Sequence, residues 1–215
     1  MFTGIIEAVC GVKSVSGRAA AGTMTIVVDL GQLADDAHTG DSIALNGVCL
    51  TIAHLQGSLA TFEASSETLT CSTLSNLRAN SRVNTERALK ADGRFGGHFV
   101  MGHVDGTGTI NKIDKQGRWA QFTFMPPTEL LDQIIPKGSI AIDGISLTVA
   151  QLQQKTFTVA VIPETLGRTT LGNTKIGDSV NIETDMIVKS IVRQLNKIHP
   201  QKQELTVEKL RDMGY

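Results

Sequence analysis

Apolar and polar residues alternate in short runs along most of the chain, and glycine, asparagine or aspartate separate one run from the next. Alternation with a period of two is typical of β-strands that bury one face. Strands this short and this frequent favour a small β-barrel over a sheet with crossover helices. The runs that carry the pattern are Thr23–Leu30, Ser42–Leu45, Cys49–Leu55, Leu59–Ala64, Val83–Arg87, Trp119–Met125 and Thr156–Ile162.

The period changes near the end of the chain, over Thr184–Ile198. Apolar residues there recur every three or four positions, which predicts one face of a helix that Pro200 ends. Self-association and packing on the chain's own barrel would both bury this face, and the sequence leaves the two open. Shorter helical turns are predicted at Leu30–Ala37 and Pro127–Ile134. The apolar stripe of the long helix consists of Ile187, Val188, Ile191, Val192, Leu195 and Ile198.

One module occurs twice in the chain. Gly40–Ile52 and Lys137–Val149 share six identities at an offset of 97 residues, and the same offset relates Glu67–Leu69 to Glu164–Leu166. A single register that survives in separate segments indicates an internal duplication. The predicted organisation is therefore a first barrel at 1–88, a glycine-rich linker at 89–97, a second barrel at 98–185, a helix at 186–198 and a tail at 199–215. The two module starts, Gly4–Val12 and Gly102–Ile110, align at an offset of 98.

Composition excludes several classes of function. The 215 residues include 20 basic and 21 acidic side chains, and aromatics make up only 4%. This balance argues against a nucleic-acid or anionic-membrane surface. Three cysteines without a CxxC pair argue against a disulfide scaffold or a structural zinc site. With neither a signal-peptide pattern nor a long apolar run, we expect a soluble protein of the cytoplasm.

The two copies share their apolar residues and glycines but differ in their reactive side chains. Asn46 corresponds to Asp143, and Cys49 corresponds to Ser146. A duplicated pocket can bind two similar ligands, and unequal side chains give the two pockets unequal chemistry. The retained hydroxyls beside retained glycines suit the polar rim of a small-molecule site. These hydroxyls belong to Ser42, Thr51, Ser139 and Thr148.

Histidine and glycine cluster in the segment GGHFVMGHVDG. His98 and His103 are natural proton shuttles near neutral pH, whereas in a regular strand residues five apart point to opposite faces. We therefore expect no metal site. The glycines lack the βαβ context of a dinucleotide loop and are better interpreted as strand ends. Cys49 has the polar residues Asn46 and Thr51 close by in the sequence and is a candidate site residue. Cys10 and Cys71 are interpreted as structural.

Five blocks resemble the riboflavin synthase family of the alpha-subunit type. They are MFTGII, NGVCLT, GGHFVMGHVDG, IAIDGISLTV and IPETLGRTTL, and the resemblance extends from Met1 to about Ile198. It implies two similar six-stranded β-barrels and a C-terminal helix that holds a homotrimer. It further implies an active site between the first barrel of one subunit and the second barrel of the next, without metal or dissociable cofactor. Association with lumazine synthase is left open.

The reaction implied by the resemblance is a dismutation of two molecules of 6,7-dimethyl-8-ribityllumazine. A four-carbon unit passes from one molecule to the other, giving riboflavin and 5-amino-6-(D-ribitylamino)uracil. Holding two identical substrates face to face makes a bimolecular step effectively intramolecular. Proton removal from the acidic C7 methyl group then calls for acid–base side chains.

The resemblance also implies site residues. Ser42, Cys49 and His103 would lie closest to the chemistry. Ser146 would also be catalytic, with Phe2 as a lid and Asp143 and Asp185 as supporting groups. The first pocket would be lined by Gly4, Ile5, Ile6, Cys49, Leu50, Thr51, Glu63, Ala64, Ser65, Ser66, Glu67 and Thr68. The second would be lined by Gly102, His103, Val104, Lys137, Ser146, Leu147, Thr148, Ala160, Val161, Ile162, Pro163, Glu164 and Thr165.

Two other functions fit part of the sequence pattern. A non-catalytic antenna protein would bind lumazine or flavin in the same fold, but we would expect it to lose the reactive side chains that are present here. A flavin-dependent reductase would need a nicotinamide-binding domain, and the two repeats leave no residues for one.

Overall fold

Two closed antiparallel barrels of six strands each, followed by a helix, form the computed structural model, which describes residues 1–18, 22–198 and 211. The predicted fold class is thereby confirmed. In the first barrel the strands are β1 Ala8–Arg18, β2 Thr23–Asp29, β3 Ser42–Leu45, β4 Val48–Gln56, β5 Leu59–Ser65 and β6 Arg82–Arg87. In the second they are β7 Gly106–Gln116, β8 Trp119–Met125, β9 Ser139–Ile142, β10 Ile145–Leu152, β11 Phe157–Val161 and β12 Ser179–Thr184.

Both barrels have the same strand order. The first closes as β1-β2-β5-β4-β3-β6, and the second, followed from β7, closes as β7-β8-β11-β10-β9-β12. Alternate residues of each strand fill the barrel interior, as the period of two predicts. Along β2, for example, Met24, Ile26 and Val28 are buried, and along β8 the buried residues are Ala120, Phe122 and Phe124.

Two six-residue helices were not predicted. They are α1, Ser66–Cys71, and α2, Pro163–Arg168, which follow the fifth strand of their respective barrels. The Ser65 hydroxyl accepts the Thr68 N–H at the start of α1, and Pro163 occupies the first turn of α2. Both are favourable helix starts. Turns of 3₁₀ helix lie at Gly31–Ala34, Thr73–Asn76, Thr128–Gln133 and Thr170–Asn173.

The C-terminal helix α3, Met186–Ile198, leaves most of its apolar stripe uncovered by the described chain. Ile187, Ile191 and Leu195 are 51%, 54% and 51% exposed. The opposite, basic face contacts the second barrel, where Lys189 pairs with Asp105 at 2.9 Å. Val188 and Val192 are half-buried beside the barrel, so the chain's own barrel covers only one edge of the stripe. The predicted stop at Pro200 and the tail 199–215, apart from residue 211, lie outside the described residues.

The barrels meet around an approximate twofold axis. Phe2 and Val100 exchange two backbone hydrogen bonds of 2.7 and 3.2 Å, and both side chains are buried with Ala44 and Ala141. A second contact joins the β3–β4 turn to its counterpart in the other barrel. A Cβ atom added to Gly47 would lie 2.6 Å from the backbone nitrogen of Gly144, so the two backbones touch where no side chain would fit.

A reciprocal set of buried amides locks the barrels together. The Asn84 side chain donates to the Asp143 carbonyl oxygen at 3.0 Å, and the Asn181 side chain donates to the Asn46 carbonyl oxygen at 2.8 Å. Within each barrel, the side-chain oxygen of residue 46 or 143 accepts a backbone N–H at 2.8 Å. The two halves differ in one respect, since Asp143 places a carboxyl group where Asn46 has an amide. Burial raises the pKa of Asp143 to about 7.

We expect Asp143→Asn to stabilise the protein at pH 8. The folded-state pKa of Asp143 lies above its unfolded value, so its contribution to stability is full below about pH 4 and is lost as pH rises to about 7. An asparagine amide does not ionise in this pH range, so it loses no stability as the pH rises. Its side-chain oxygen can still accept the Asn181 N–H. The free energy of unfolding, from urea denaturation, should rise by up to about 4 kcal/mol at pH 8, and the gain should shrink towards pH 5.

The matched control for this substitution is Asn46→Asp, which places a second buried carboxyl group at the equivalent position of the first barrel. It should destabilise the protein at pH 8 and do so less at pH 5. A loss of stability in Asp143→Asn at pH 8 would show that the carboxylate has a stabilising partner and contradict the prediction.

Candidate functional site

Two clefts of similar construction lie between the barrels. The Cys49 cleft has a volume of about 240 Å³ and the Ser146 cleft about 190 Å³. Residues of the Cys49 cleft are Val48, Cys49, Glu67, Thr68, Cys71, Ser72, Gly102, His103 and Val104. Residues of the Ser146 cleft are Gly4, Ile5, Ile6, Ile145, Ser146, Glu164, Thr165, Arg168 and Thr169.

Strand alternation decides which side chains reach these clefts. Leu50 and Leu147 point into the two barrel cores, so Cys49 and Ser146 point outwards. Thr51 and Thr148 follow on the same outer face and are exposed. Ser42 pairs with Thr51 across the antiparallel ladder, so its half-buried side chain shares the face of Cys49 without lining the cleft.

Each cleft is closed by the first residues of the other module. The Cys49 N–H donates to the Gly102 carbonyl oxygen at 2.9 Å, and the Ser146 N–H donates to the Gly4 carbonyl oxygen at 2.8 Å. Both glycines have φ near +78°, and a Cβ at either would lie within 2.6 Å of the facing Cβ. The expected grouping of Gly4–Ile6 with Cys49 is therefore wrong, because the segments cross between modules.

Behind the Ser146 cleft lies a histidine that the sequence offers as a proton shuttle but that was not among the predicted site residues. His98 is buried, and its Nδ1 lies 2.7 Å from the Ser146 hydroxyl oxygen. Burial lowers the pKa of His98, and the nearby charge of Asp185 opposes the shift. The short contact places the imidazole within reach of a proton on the Ser146 hydroxyl group. Asp185 also caps α3 by accepting the Ile187 N–H at 2.8 Å.

The clefts differ in charge. His103, in the Cys49 cleft, is exposed, and α1 adds the thiol of Cys71 to the same cleft. The equivalent position on α2 is Arg168, which pairs with Glu164 at 3.4 Å in the Ser146 cleft. The interpretation of Cys71 as a structural residue is therefore wrong. The Ser146 cleft has a guanidinium group where the Cys49 cleft has a thiol.

Several predicted residues lie outside both clefts. Phe2 is 0% exposed between the barrels, which is not the position of a lid. Asp143 belongs to the buried lock described above. Lys137 is exposed and has φ of +67°, in the left-handed region that its counterpart Gly40 also adopts. Asp185 does not line the Ser146 cleft. Its charge acts on His98, which contacts Ser146.

The remaining predicted residues belong to the strand and turn before each short helix. Ala64 and Val161 are core residues, while Glu63 and Ala160 are exposed. The others form the approach to α1 or α2, and they are Ser65, Ser66, Ile162 and Pro163. Within the described part of the chain, no three His, Cys, Asp or Glu side chains come together as a metal site requires.

A duplicated barrel with two crossed clefts defines a class of small-molecule-binding protein with two similar sites. The family model described as "Lumazine binding domain" matches residues 3–88 and again 101–185. The chain is 40% identical over 209 residues to riboflavin synthase of Bacillus subtilis, covering 97% of this chain and 96% of that one. It belongs to the riboflavin synthase family and is an enzyme of the transferase type.

Further comparisons agree with this assignment. Riboflavin synthase of Actinobacillus pleuropneumoniae is 42% identical over 217 residues, covering all of both chains. Among solved structures, LumP complexed with 6,7-dimethyl-8-(1'-D-ribityl)lumazine superposes with a TM-score of 0.77 at 20% identity, covering 86% of this chain and 99% of that one. LumP complexed with riboflavin gives 0.79 at 21%, with the same coverage. The LumP comparisons establish the shared fold.

Among the described residues, no helix has the length and apolar character needed to cross a membrane.

Proposed function

We propose that this chain is a riboflavin synthase that converts two molecules of 6,7-dimethyl-8-ribityllumazine into riboflavin and 5-amino-6-(D-ribitylamino)uracil. The single observation that carries the proposal is the pair of clefts with one backbone plan and unequal side chains. Two identical substrates call for two similar binding sites. A reaction in which one molecule gives four carbons and the other receives them calls for different side chains in the two sites.

The side chains in the clefts suit the acid–base steps of this reaction. His103 and Cys49 line one cleft, and the other is lined by Ser146, whose hydroxyl group contacts the buried His98. A proton must leave the C7 methyl group of one lumazine, and a nucleophile must add to C7 of the other. General acid–base groups typically contribute about 10²- to 10⁴-fold to such steps.

The proposal includes a homotrimer in which the reacting pair forms between subunits. The uncovered stripe of α3 supports it, since a contiguous exposed apolar face is typical of an interaction surface. The exposed Lys137 also supports it: this side chain lines neither cleft of its own chain and is free to reach a neighbour's. A cytoplasmic location remains a prediction from the sequence pattern, and the family resemblance leaves an association with lumazine synthase open.

The test is to mix the purified protein with 6,7-dimethyl-8-ribityllumazine, without added cofactor, and to follow absorbance and fluorescence. We expect one riboflavin for every two lumazine molecules consumed. A lumazine spectrum that shifts on binding without conversion would instead support an antenna-type binder. An unchanged spectrum would show that the clefts do not bind this ligand and would overturn the proposal.

A further inference from the structure

Two buried glutamates hold the segments that close the clefts. Glu183, on β12, is 3% exposed and accepts the backbone N–H groups of Met101 and Gly102 at 2.6 and 2.9 Å. Glu86, the equivalent residue on β6, is 4% exposed and accepts those of Thr3 and Gly4 at 2.7 and 3.0 Å. Each carboxylate thus uses both oxygens to hold two consecutive peptide groups.

The same peptide groups continue to the clefts. Gly102 is held by Glu183 through its N–H and by Cys49 through its carbonyl oxygen. His103, the next residue, enters the Cys49 cleft from this fixed point. Gly4 is likewise held between Glu86 and Ser146, and Ile5 follows it into the other cleft. Glu183 is therefore linked to Cys49 through Gly102 by two hydrogen bonds. Glu86 is linked to Ser146 through Gly4 in the same way.

We infer that Glu183 is the positioning residue of the Cys49 cleft and Glu86 that of the Ser146 cleft. Each acts on the cleft whose cysteine or serine belongs to the opposite barrel. The inference deepens the proposed function, on which its statement about turnover rests. Neither carboxylate lines the cleft it serves, so both act through the backbone of a glycine.

The chemistry favours a carboxylate at these positions. Two adjacent N–H donors need two acceptor oxygens, and a glutamine offers one oxygen and a competing donor. Burying a carboxylate has an energetic cost that short, charge-assisted hydrogen bonds offset only in part, since burial still raises the pKa of Glu183 to about 7 and also raises that of Glu86. Glu86 also accepts the Thr3 hydroxyl at 2.8 Å, whereas Met101 has no hydroxyl to offer Glu183. The Cys49 cleft therefore depends on fewer hydrogen bonds and should be the more sensitive of the two.

The first measurement is the rate at which iodoacetamide alkylates Cys49 in the full-length protein, followed by peptide mass spectrometry so that Cys71 is counted separately. In Glu183→Gln the loosened wall should raise this rate about tenfold. In Glu86→Gln and in the control Glu129→Gln, an exposed glutamate on a 3₁₀ turn, the rate should stay within about twofold of the original. Equal acceleration in both buried-glutamate variants, or acceleration in Glu86→Gln alone, would overturn the inference.

Riboflavin titration provides the complementary measurement. Each variant should retain one of two binding sites, with Cys49 protected by riboflavin in Glu86→Gln and unprotected in Glu183→Gln. Protection of Cys49 in both would contradict the assignment. If Glu183→Gln does not fold, Glu183→Asp keeps the charge, reaches one N–H, and should accelerate alkylation to an intermediate degree. The alkylation rates need neither ligand nor turnover, so a failure of the proposed function would be seen separately.

Discussion

A chain carrying both Ile191→Asp and Leu195→Asp is expected to be monomeric and to lose more than about 99% of its riboflavin formation. The two substitutions place charges at the centre of the exposed stripe of α3, where burial against another subunit would leave them unpaired. If the reacting lumazine molecules meet between subunits, a monomer holds them apart. Light scattering coupled to size exclusion would measure the mass, and the spectroscopic assay would measure turnover.

The helix offers a matched control. Ser190→Asp with Gln194→Asp adds the same charge at the same spacing, but off the stripe, and should leave both mass and turnover unchanged. A monomeric stripe variant with full activity would place the reaction within one chain and refute the intersubunit site. A parent protein that is itself monomeric would refute the trimer.

Replacement of His103 by alanine is expected to lower kcat about 100-fold while changing the affinity for lumazine less than about threefold. His103 lies exposed at the wall of the Cys49 cleft and supplies an acid–base group without filling apolar space. Stopped-flow turnover and equilibrium fluorescence titration would separate the two quantities. His54→Ala, an exposed histidine on β4 of the same barrel, is the control and should change neither. Equal losses of turnover and affinity would rule out the catalytic role of His103.

The strands were predicted within one or two residues wherever side chains alternate clearly. Trp119–Met125 has the same bounds in sequence and structure, because aromatic and apolar residues there fill every second position. The long strands β1 and β7 were not predicted, since lysine, serine and glycine interrupt their alternation. The helices α1 and α2 were missed because six residues are too few to show a helical period.

The site was predicted as a list of segments but not as an arrangement. The blocks around Cys49, Ser146 and the two short helices all line clefts. Their crossing depends on tertiary structure, because the Gly4 segment contacts Ser146 and the Gly102 segment contacts Cys49, each far away along the chain. The contact of His98 with Ser146 was equally hidden, because 48 residues separate the two. Phe2 illustrates the opposite error, since an aromatic residue at a terminus was expected as a lid and is in fact core.

The crossed segments also bear on ancestry. If the module before the duplication folded as each copy does now, its closing segment belonged to the cleft of another copy. Such an ancestor had to act as a pair, with two identical clefts and any change in one repeated in the other. Fusion into a single chain removed that constraint. It allowed a thiol to remain in one cleft and a hydroxyl group in the other, and so allowed one protein to treat two identical molecules differently.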